Sequence, residues 1–99
     1  MSEAEQHQVR HEQQETRGRF VIDLDGGAEA ELTYSRAGTG KWIADHTGVP
    51  DAYSGRGIAG QLARALVREA RAAGVKIVPL CPYVAAWFRK HPDEADLVA

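Results

Sequence analysis

The chain has 99 residues, of which 43% are hydrophobic and 26% charged, as expected for one small globular domain. Its net charge of −2 lacks the basic excess of a nucleic-acid-binding protein, and its single cysteine excludes an internal disulfide framework and a cysteine-based zinc cluster. With a polar N-terminus and no apolar run of membrane-spanning length, we expect a cytoplasmic protein without a signal peptide or membrane contact, and the small size favours a monomer.

The first 17 residues are rich in Gln, Glu and His. We expect residues 1–8 to be a disordered tail and residues 9–99 to form the folded domain, with residues 9–12 available as a short edge strand. His7 and His11 have the spacing of a helical metal pair, but no third ligand lies nearby. A solvated tail therefore explains these histidines better than a metal site, and we predict none.

Alternating apolar and polar residues predict three strands joined by tight turns. They cover residues 20–24, 28–35 and 41–49, with glycine-containing turns at 25–27 and 37–40. Consecutive strands with such short connections predict an antiparallel meander.

Helical periodicity starts after Gly57 and gives a wide apolar stripe that ends at Gly74. A short apolar run at residues 75–80 then predicts a fourth strand, which a right-handed crossover makes parallel to its neighbour. Pro82 opens a second, shorter helix that ends before His91-Pro92. The predicted class is α/β (α+β): an antiparallel meander plus one parallel crossover strand, with two helices.

A glycine-rich turn, SGRGIA at residues 54–59, connects the third strand to the long helix. Its glycines let the backbone approach an anion closely, and the helix N-terminus behind it offers N–H groups and the positive end of the helix dipole. A tight strand-to-helix connection that needs glycine for its φ values is an equally good explanation. The turn is neither a Walker loop nor a dinucleotide fingerprint, because the required further residues are absent.

This turn resembles the acetyl-CoA pyrophosphate loop of the GCN5-related N-acetyltransferases, whose pattern is Gln/Arg-x-x-Gly-x-Gly/Ala. Gly57 and Ala59 match the last two fixed positions, while Ser54 stands where Gln or Arg is usual. The resemblance narrows to the short, single-domain YjdJ-like and NATD1-like members. It runs from about residue 19 to residue 98, through the segments DHTGVP (45–50), GRGIA (55–59), VPLCP (78–82), HP (91–92) and ADLV (95–98).

The resemblance implies a minimal acyl-CoA N-acyltransferase fold with acetyl-CoA (CoA) as its cofactor. The pyrophosphate is expected on the main-chain amides of residues 56–60, and the pantetheine arm between the third strand and the strand at 75–80. The implied cofactor-binding residues are Thr47, Val49, Ser54, Gly55, Arg56, Gly57, Ile58, Ala59 and Gly60. Arg56, Arg64 and Lys90 are candidates for contacts to the nucleotide phosphates, although Arg64 fits a solvated helix face equally well.

Three residues are candidates for catalysis. Cys81 follows a buried-type strand at the start of a helix, a position that favours the nucleophilic thiolate, although most free cysteines act as small buried hydrophobes. His46, predicted to share a strand face with Trp42 and Ala44, is a candidate base for an attacking amine or for Cys81, or else a partly buried histidine beside the cleft. Tyr83 is a candidate acid for the departing CoA thiolate, with a packing aromatic as the alternative.

These residues predict an acetyl-CoA-dependent N-acetyltransferase that acts on an unidentified amine acceptor, directly or through Cys81. The alternative is a module that binds acetyl-CoA or CoA without turnover. Full-length members of the superfamily build an acceptor pocket from two extra helices and further strands, for which this chain has no room. A structural or partner-binding domain with a vestigial loop is a third possibility.

Overall fold

The computed structural model describes residues 6–99, which form one five-stranded sheet and two α-helices. The strands lie in the order β1-β2-β3-β4-β5; the first four are antiparallel, and β5 is parallel to β4. Their bounds are Arg10–Gln13, Arg17–Asp23, Glu29–Ala37, Lys41–Gly48 and Lys76–Pro79, and the helices α1 and α2 cover Ile58–Ala73 and Pro82–Lys90. The predicted meander, parallel crossover strand and two helices are confirmed.

The N-terminal segment adds the edge strand β1, one residue later than the stretch proposed for it. Of the expected tail, residues 1–5 lie outside the described residues, and residues 6–8 carry no regular secondary structure. The backbone N–H of His7 donates a hydrogen bond to Gln61 of α1.

The core lies between α1 and one face of the sheet. Cross-strand partners share a face, and the pairs Phe20–Leu32 and Ile22–Ala30 present fully buried side chains to the helix. The buried stripe of α1 repeats with the helical period, as the sequence predicts; it consists of Ile58, Leu62, Ala63, Ala65, Leu66, Val67 and Ala70. Because α1 is fixed along its whole length, its N-terminus is held rigidly beside the end of β4.

Strands β4 and β5 separate halfway along β4, because β5 turns away there. Their parallel pairing ends at Ala44 and Pro79, and the N–H of Leu80, which would face β4 as that of Lys76 does, donates instead to the Val78 carbonyl at 3.0 Å. The last contact is the Cys81 N–H, which donates to the Ala44 carbonyl at 2.8 Å. Beyond Ala44, the β5 side of β4 therefore has no strand partner among the described residues.

A β-bulge in β4 changes which side chains reach the gap between the strands. Thr33 pairs with His46 and Tyr34 pairs with Ala44, so Asp45 is one extra residue in β4. Its carboxylate accepts hydrogen bonds from the hydroxyls of Thr33 and of Ser35, the latter at 3.1 Å. The extra residue reverses the alternation of side chains for the rest of the strand.

The predicted face of His46 is wrong for this reason. After the bulge, His46 lies opposite Thr33 on the face away from α1, and it is exposed. Thr47 lies opposite the fully buried Leu32 and shares the core face with Ala44. In a regular strand, His46 would share the core face with Ala44, two residues before it. Because Asp45 is an extra residue, Thr47 lies on that face instead.

Candidate functional site

The N-terminus of α1 presents free backbone donors. The N–H groups of a first helical turn have no acceptor within the helix, and here no side chain caps them and no acidic residue occupies the turn. Gly55 and Gly57 approach this turn with φ values of 77° and 79°, a conformation that favours glycine. Ile58 is fully buried and anchors the turn in the core. An uncapped helix N-terminus of this kind suits an anion.

The backbone N–H groups at the N-terminus of α1, which we call the amide row, face a cavity of about 280 Å³, which we call the loop cavity. No charged side chain lines it. Its lining residues are Val49, Tyr53, Ser54, Gly55, Gly57, Ile58, Ala59, Gly60 and Tyr83. Except for Thr47 and Arg56, the structure thus gathers the expected cofactor-binding residues around one cavity.

A second cavity of about 430 Å³ continues from the first between α1 and α2, and we call it the helix cavity. It shares Gly57, Gly60 and Tyr83 with the loop cavity. Its other lining residues are Gln6, Gln61, Arg64, Ala86, Trp87, Lys90 and His91. This lining carries two cations and no carboxylate, so the groove formed by the two cavities becomes positively charged beyond the glycine loop.

A stack of three side chains forms one wall of the helix cavity. The guanidinium of Arg64 lies 5.5 Å from the Trp87 ring centroid, and the His91 ring stacks on Trp87 at 3.8 Å. His91 Nδ1–H donates to the Trp87 carbonyl at 2.8 Å. Arg64 is exposed, but its guanidinium lies against the Trp87 ring. Sequence reasoning missed Trp87, His91 and Gln61 as lining residues, although the four-residue spacing of Trp87 and His91 was a readable signal.

Tyr83 stands between the two cavities. A Cβ placed on Gly60 lies 3.7 Å from the Tyr83 hydroxyl, so the phenol is close to the first turn of α1. Burial raises the pKa of Tyr83 above its usual value, and negative charge on the Cys81 sulfur raises that pKa further. The phenol therefore stays protonated around neutral pH and can donate a proton or a hydrogen bond.

Cys81 and Thr47 lie together at the gap between β4 and β5, outside the lining of both cavities. Cys81 precedes the first residue of α2 and is 4% exposed. Its Sγ lies 3.4 Å from Oγ1 of Thr47, within the range of a hydrogen bond to sulfur. Sequence reasoning expected only the main chain of Thr47 to matter here, because the bulge that turns its side chain toward Cys81 was not foreseen.

His46 and Arg56 are placed differently. The His46 ring folds back over its own strand, with Nε2 3.1 Å from a Cβ placed on Gly48, and lies on the face opposite Thr47. The guanidinium of Arg56 lies 5.0 Å from the Tyr53 ring centroid and is not among the lining residues of either cavity. Of the three phosphate-contact candidates, the structure therefore puts Arg64 and Lys90 in the groove.

Two features are absent from residues 6–99: a membrane-spanning helix and a cluster of metal-ligating side chains. Neither helix is long and apolar enough to cross a bilayer. No cluster of three or more His, Cys, Asp or Glu side chains is placed to hold a metal ion.

Comparisons with protein families, single proteins and solved structures each match most of this chain. The family of GCN5-related N-acetyl-transferases matches residues 19–97. Protein NATD1 of Homo sapiens is 37% identical over 87 residues, covering 85% of this chain and 75% of that protein; Protein NATD1 of Gallus gallus is 38% identical over 88 residues, covering 86% and 76%. The solution structure of a GCN5-like protein from Staphylococcus aureus superposes with a TM-score of 0.70 at 31% identity, covering 91% of this chain and 87% of that one. The chain therefore belongs to the GCN5-related N-acetyltransferase family.

Proposed function

We propose that this protein binds acetyl-CoA along the groove and transfers its acetyl group to an amine. The observation that carries the proposal is the uncapped N-terminus of α1, which lies between an uncharged cavity and a cationic one. Pyrophosphate is the part of CoA that suits the amides, and the 3′-phosphorylated nucleotide suits Arg64 and Lys90. The residues present thus fit the cofactor that the family uses.

The order of the cavities sets the direction of the ligand. With the pyrophosphate at residues 56–60, the pantetheine arm runs through the loop cavity toward Val49. The edge of β4 beyond Ala44 has no strand partner on that side, so its main-chain groups are available to the amides of the arm. The thioester then lies at the gap between β4 and β5, beside Thr47 and Cys81.

When bound, acetyl-CoA supplies an activated acetyl thioester. In the covalent route, the Cys81 thiolate would attack the acetyl carbon and displace the CoA thiolate, for which the Tyr83 phenol is the candidate proton donor. The amine would then displace the Cys81 thiolate from the acetyl group, and the proton lost from the amine would return to Tyr83 through solvent. In the direct route, the amine attacks the thioester itself and Cys81 forms no bond.

His46 has a role in either route as the candidate base on the acceptor side. It lies on the sheet face opposite Thr47, next to the same gap between the strands. An amine that approaches the gap from that face meets an exposed imidazole able to take its proton.

The burial of Cys81 favours the alternative function, a module that binds acetyl-CoA without turnover. Its side chain is 4% exposed, so a nucleophilic role needs local opening at the gap. The two functions share the groove and differ only at this end.

Calorimetry with acetyl-CoA tests the shared claim, and absence of binding at millimolar cofactor contradicts both functions. Intact-mass analysis after incubation with acetyl-CoA tests the covalent route, for which we expect the mass gain of one acetyl group on Cys81. Steady release of CoA in the presence of a panel of amines identifies an enzyme, whereas binding without release identifies the module.

We also propose a cytoplasmic monomer with a domain starting near residue 9, for which size-exclusion chromatography tests the oligomeric state.

A further inference from the structure

We propose that residues 6–11, which we call the N-terminal strap, form part of the cofactor site and close the nucleotide end of the groove. This inference rests on the proposed function, since the ligand is the nucleotide of CoA. It gives a role in binding to a segment that the sequence presents as a polar tail.

The strap runs parallel to α1 along one stripe of the helix. At one end, Nδ1 of His11 lies 3.8 Å from Oε1 of Glu69; at the other, the His7 N–H donates to Oε1 of Gln61 at 2.8 Å. The four steps from His7 to His11 span about 13 Å in an extended chain, and the eight steps from Gln61 to Glu69 span about 12 Å in a helix. The two lengths agree, so the strap follows the helix without slack.

The middle of the strap is packed as well. Gln61, Ala65 and Glu69 are four residues apart and lie on one side of α1. Ala65 is only 3% exposed, and Val9, midway along the strap, packs against the hydrophobic core. The strap therefore contacts α1 at His7 and at His11 and packs against the core between them.

The root of the strap is fixed inside the sheet. The His11 ring stacks on Phe20 with centroids 4.2 Å apart, and its Nε2 lies 2.7 Å from the Tyr34 hydroxyl. From this anchor the chain runs back along α1 until Gln6 becomes a lining residue of the helix cavity. The strap therefore completes a wall that α1 and α2 leave unfinished.

A buried ring nitrogen without a partner among the described residues lies at the His7 end of the strap. Nε2 of His7 is buried and has no hydrogen-bond partner in residues 6–99. A buried polar atom without a partner is unfavourable unless a ligand or water completes it. The backbone N–H of His7 is hydrogen-bonded to Gln61, which lines the same cavity as Arg64 and Lys90. The ligand chemistry matched to these groups is an oxygen-rich anion, the 3′-phosphorylated nucleotide of CoA.

Two variants separate the strap from the rest of the site. His7→Pro removes the N–H that donates to Gln61 and leaves every groove side chain of α1 and α2 in place. Glu15→Pro is the matched control, because Glu15 lies exposed in the turn between β1 and β2 and forms no hydrogen bond among the described residues. Circular dichroism and urea unfolding establish that both variants fold.

The readout is calorimetric affinity for three probes: acetyl-CoA, adenosine 3′,5′-bisphosphate and S-acetylpantetheine. For His7→Pro, which removes both the N–H and the imidazole, we expect acetyl-CoA and the bisphosphate to bind about tenfold more weakly or worse, since each lost hydrogen bond weakens binding about three- to tenfold. S-acetylpantetheine, which lacks the nucleotide, should bind as it does to the parent, and Glu15→Pro should leave all three affinities unchanged. Parent-like affinity of His7→Pro for the bisphosphate overturns the strap inference alone, whereas a parent protein that binds none of the probes overturns the proposed function.

Hydrogen exchange on the parent protein gives a test that needs no substitution. Amides of residues 6–9 should exchange more slowly when adenosine 3′,5′-bisphosphate is added, because ligand and strap hold each other in place. Unchanged exchange in this segment at saturating bisphosphate contradicts the inference.

Discussion

The two ends of the proposed pantetheine path are built differently. The loop end, at the N-terminus of α1, presents backbone amides, exposed by Gly55 and Gly57 and fixed by the helix behind them. The far end, at the gap between β4 and β5, presents the side chains of Cys81 and Thr47, whose Sγ and Oγ1 lie 3.4 Å apart because the bulge in β4 turns Thr47 to the core face. Under the proposed function, the loop end binds the cofactor and the far end acts on its acetyl group.

Under the proposed function, this difference makes cofactor binding and acetyl transfer separable by substitution. Backbone groups can be blocked but not deleted, so the loop end is sensitive to added side chains. The far end is sensitive to the identity of single side chains. The predictions below use these opposite sensitivities, beginning with the largest expected effect.

Replacing Cys81 by Ala should separate the two ends most clearly. Because the proposed site holds the cofactor mainly by the amides of the glycine loop and by Arg64 and Lys90, we expect acetyl-CoA affinity to stay within about twofold of the parent. If the covalent route operates, amine-dependent CoA release should fall by ~100-fold or more, the lower range for a positioned catalytic group. Release assays and calorimetry on the same preparation measure both quantities. Loss of affinity in Cys81→Ala contradicts the separation of the two ends, and parent-like release contradicts the covalent route.

Replacing Gly57 by Val should remove binding at the loop end. A β-branched residue at a φ of 79° is strained by about 1–3 kcal/mol, and its side chain crowds the amide row. We expect acetyl-CoA affinity to fall more than about tenfold, which corresponds to 1.4 kcal/mol of binding free energy.

Gly38→Val is the matched control for this strain. Gly38 has a φ of 63° in the turn between β3 and β4, and an added Cβ there meets nothing within 4 Å. Urea unfolding should show comparable destabilisation in the two variants, with affinity lost only in Gly57→Val. Equal loss of affinity in both assigns the effect to stability and not to the amide row.

Replacing Gly60 by Ala should move stability and affinity in opposite directions. Gly60 lies in the first turn of α1, where Ala is favoured over Gly by about 0.5–1 kcal/mol, and the new methyl group makes only ordinary contact with Tyr83. The same methyl group projects into the junction of the two cavities. The temperature of thermal unfolding should therefore rise while acetyl-CoA affinity falls several-fold. A stabilised variant with unchanged affinity contradicts the placement of the ligand.

The smallest predicted effect concerns His11, which lies at neither end of the groove. Burial lowers the pKa of His11 below its usual 6.5, and Arg36 lowers it further, against an opposing effect of Glu69. As pH falls through 6.5, the unfolded chain takes up a proton before the folded chain does, so the stability present above 6.5 is lost. Urea unfolding at about pH 8 and pH 5.5 should show this loss in the parent and a shallower one in His11→Gln; equal slopes contradict it.

The loop end could be predicted from the sequence because glycine itself carries the signal. Gly57 and Gly74 mark the ends of α1 by the left-handed conformation that they permit, and the structure places both there. The strand order followed from the short turns. These features depend on local backbone preferences, which one sequence displays.

The far end depends on register, which no local pattern displays. A single inserted residue, Asp45, exchanged the places of His46 and Thr47, and its carboxylate is satisfied by two hydroxyls from the neighbouring strand. The partners that stabilise a bulge come from elsewhere in the chain. The strap was missed for a similar reason: its polar composition resembles a tail, and only the stripe on α1 shows what it covers.

The most direct test of the account is a titration of the ¹⁵N-labelled protein with acetyl-CoA, followed by backbone amide chemical shifts. If the pyrophosphate binds at the N-terminus of α1, the amides of residues 56–60 should show the largest saturable shifts. The absence of saturable shifts at millimolar acetyl-CoA, or shifts confined to the sheet face that carries His46, contradicts the central claim.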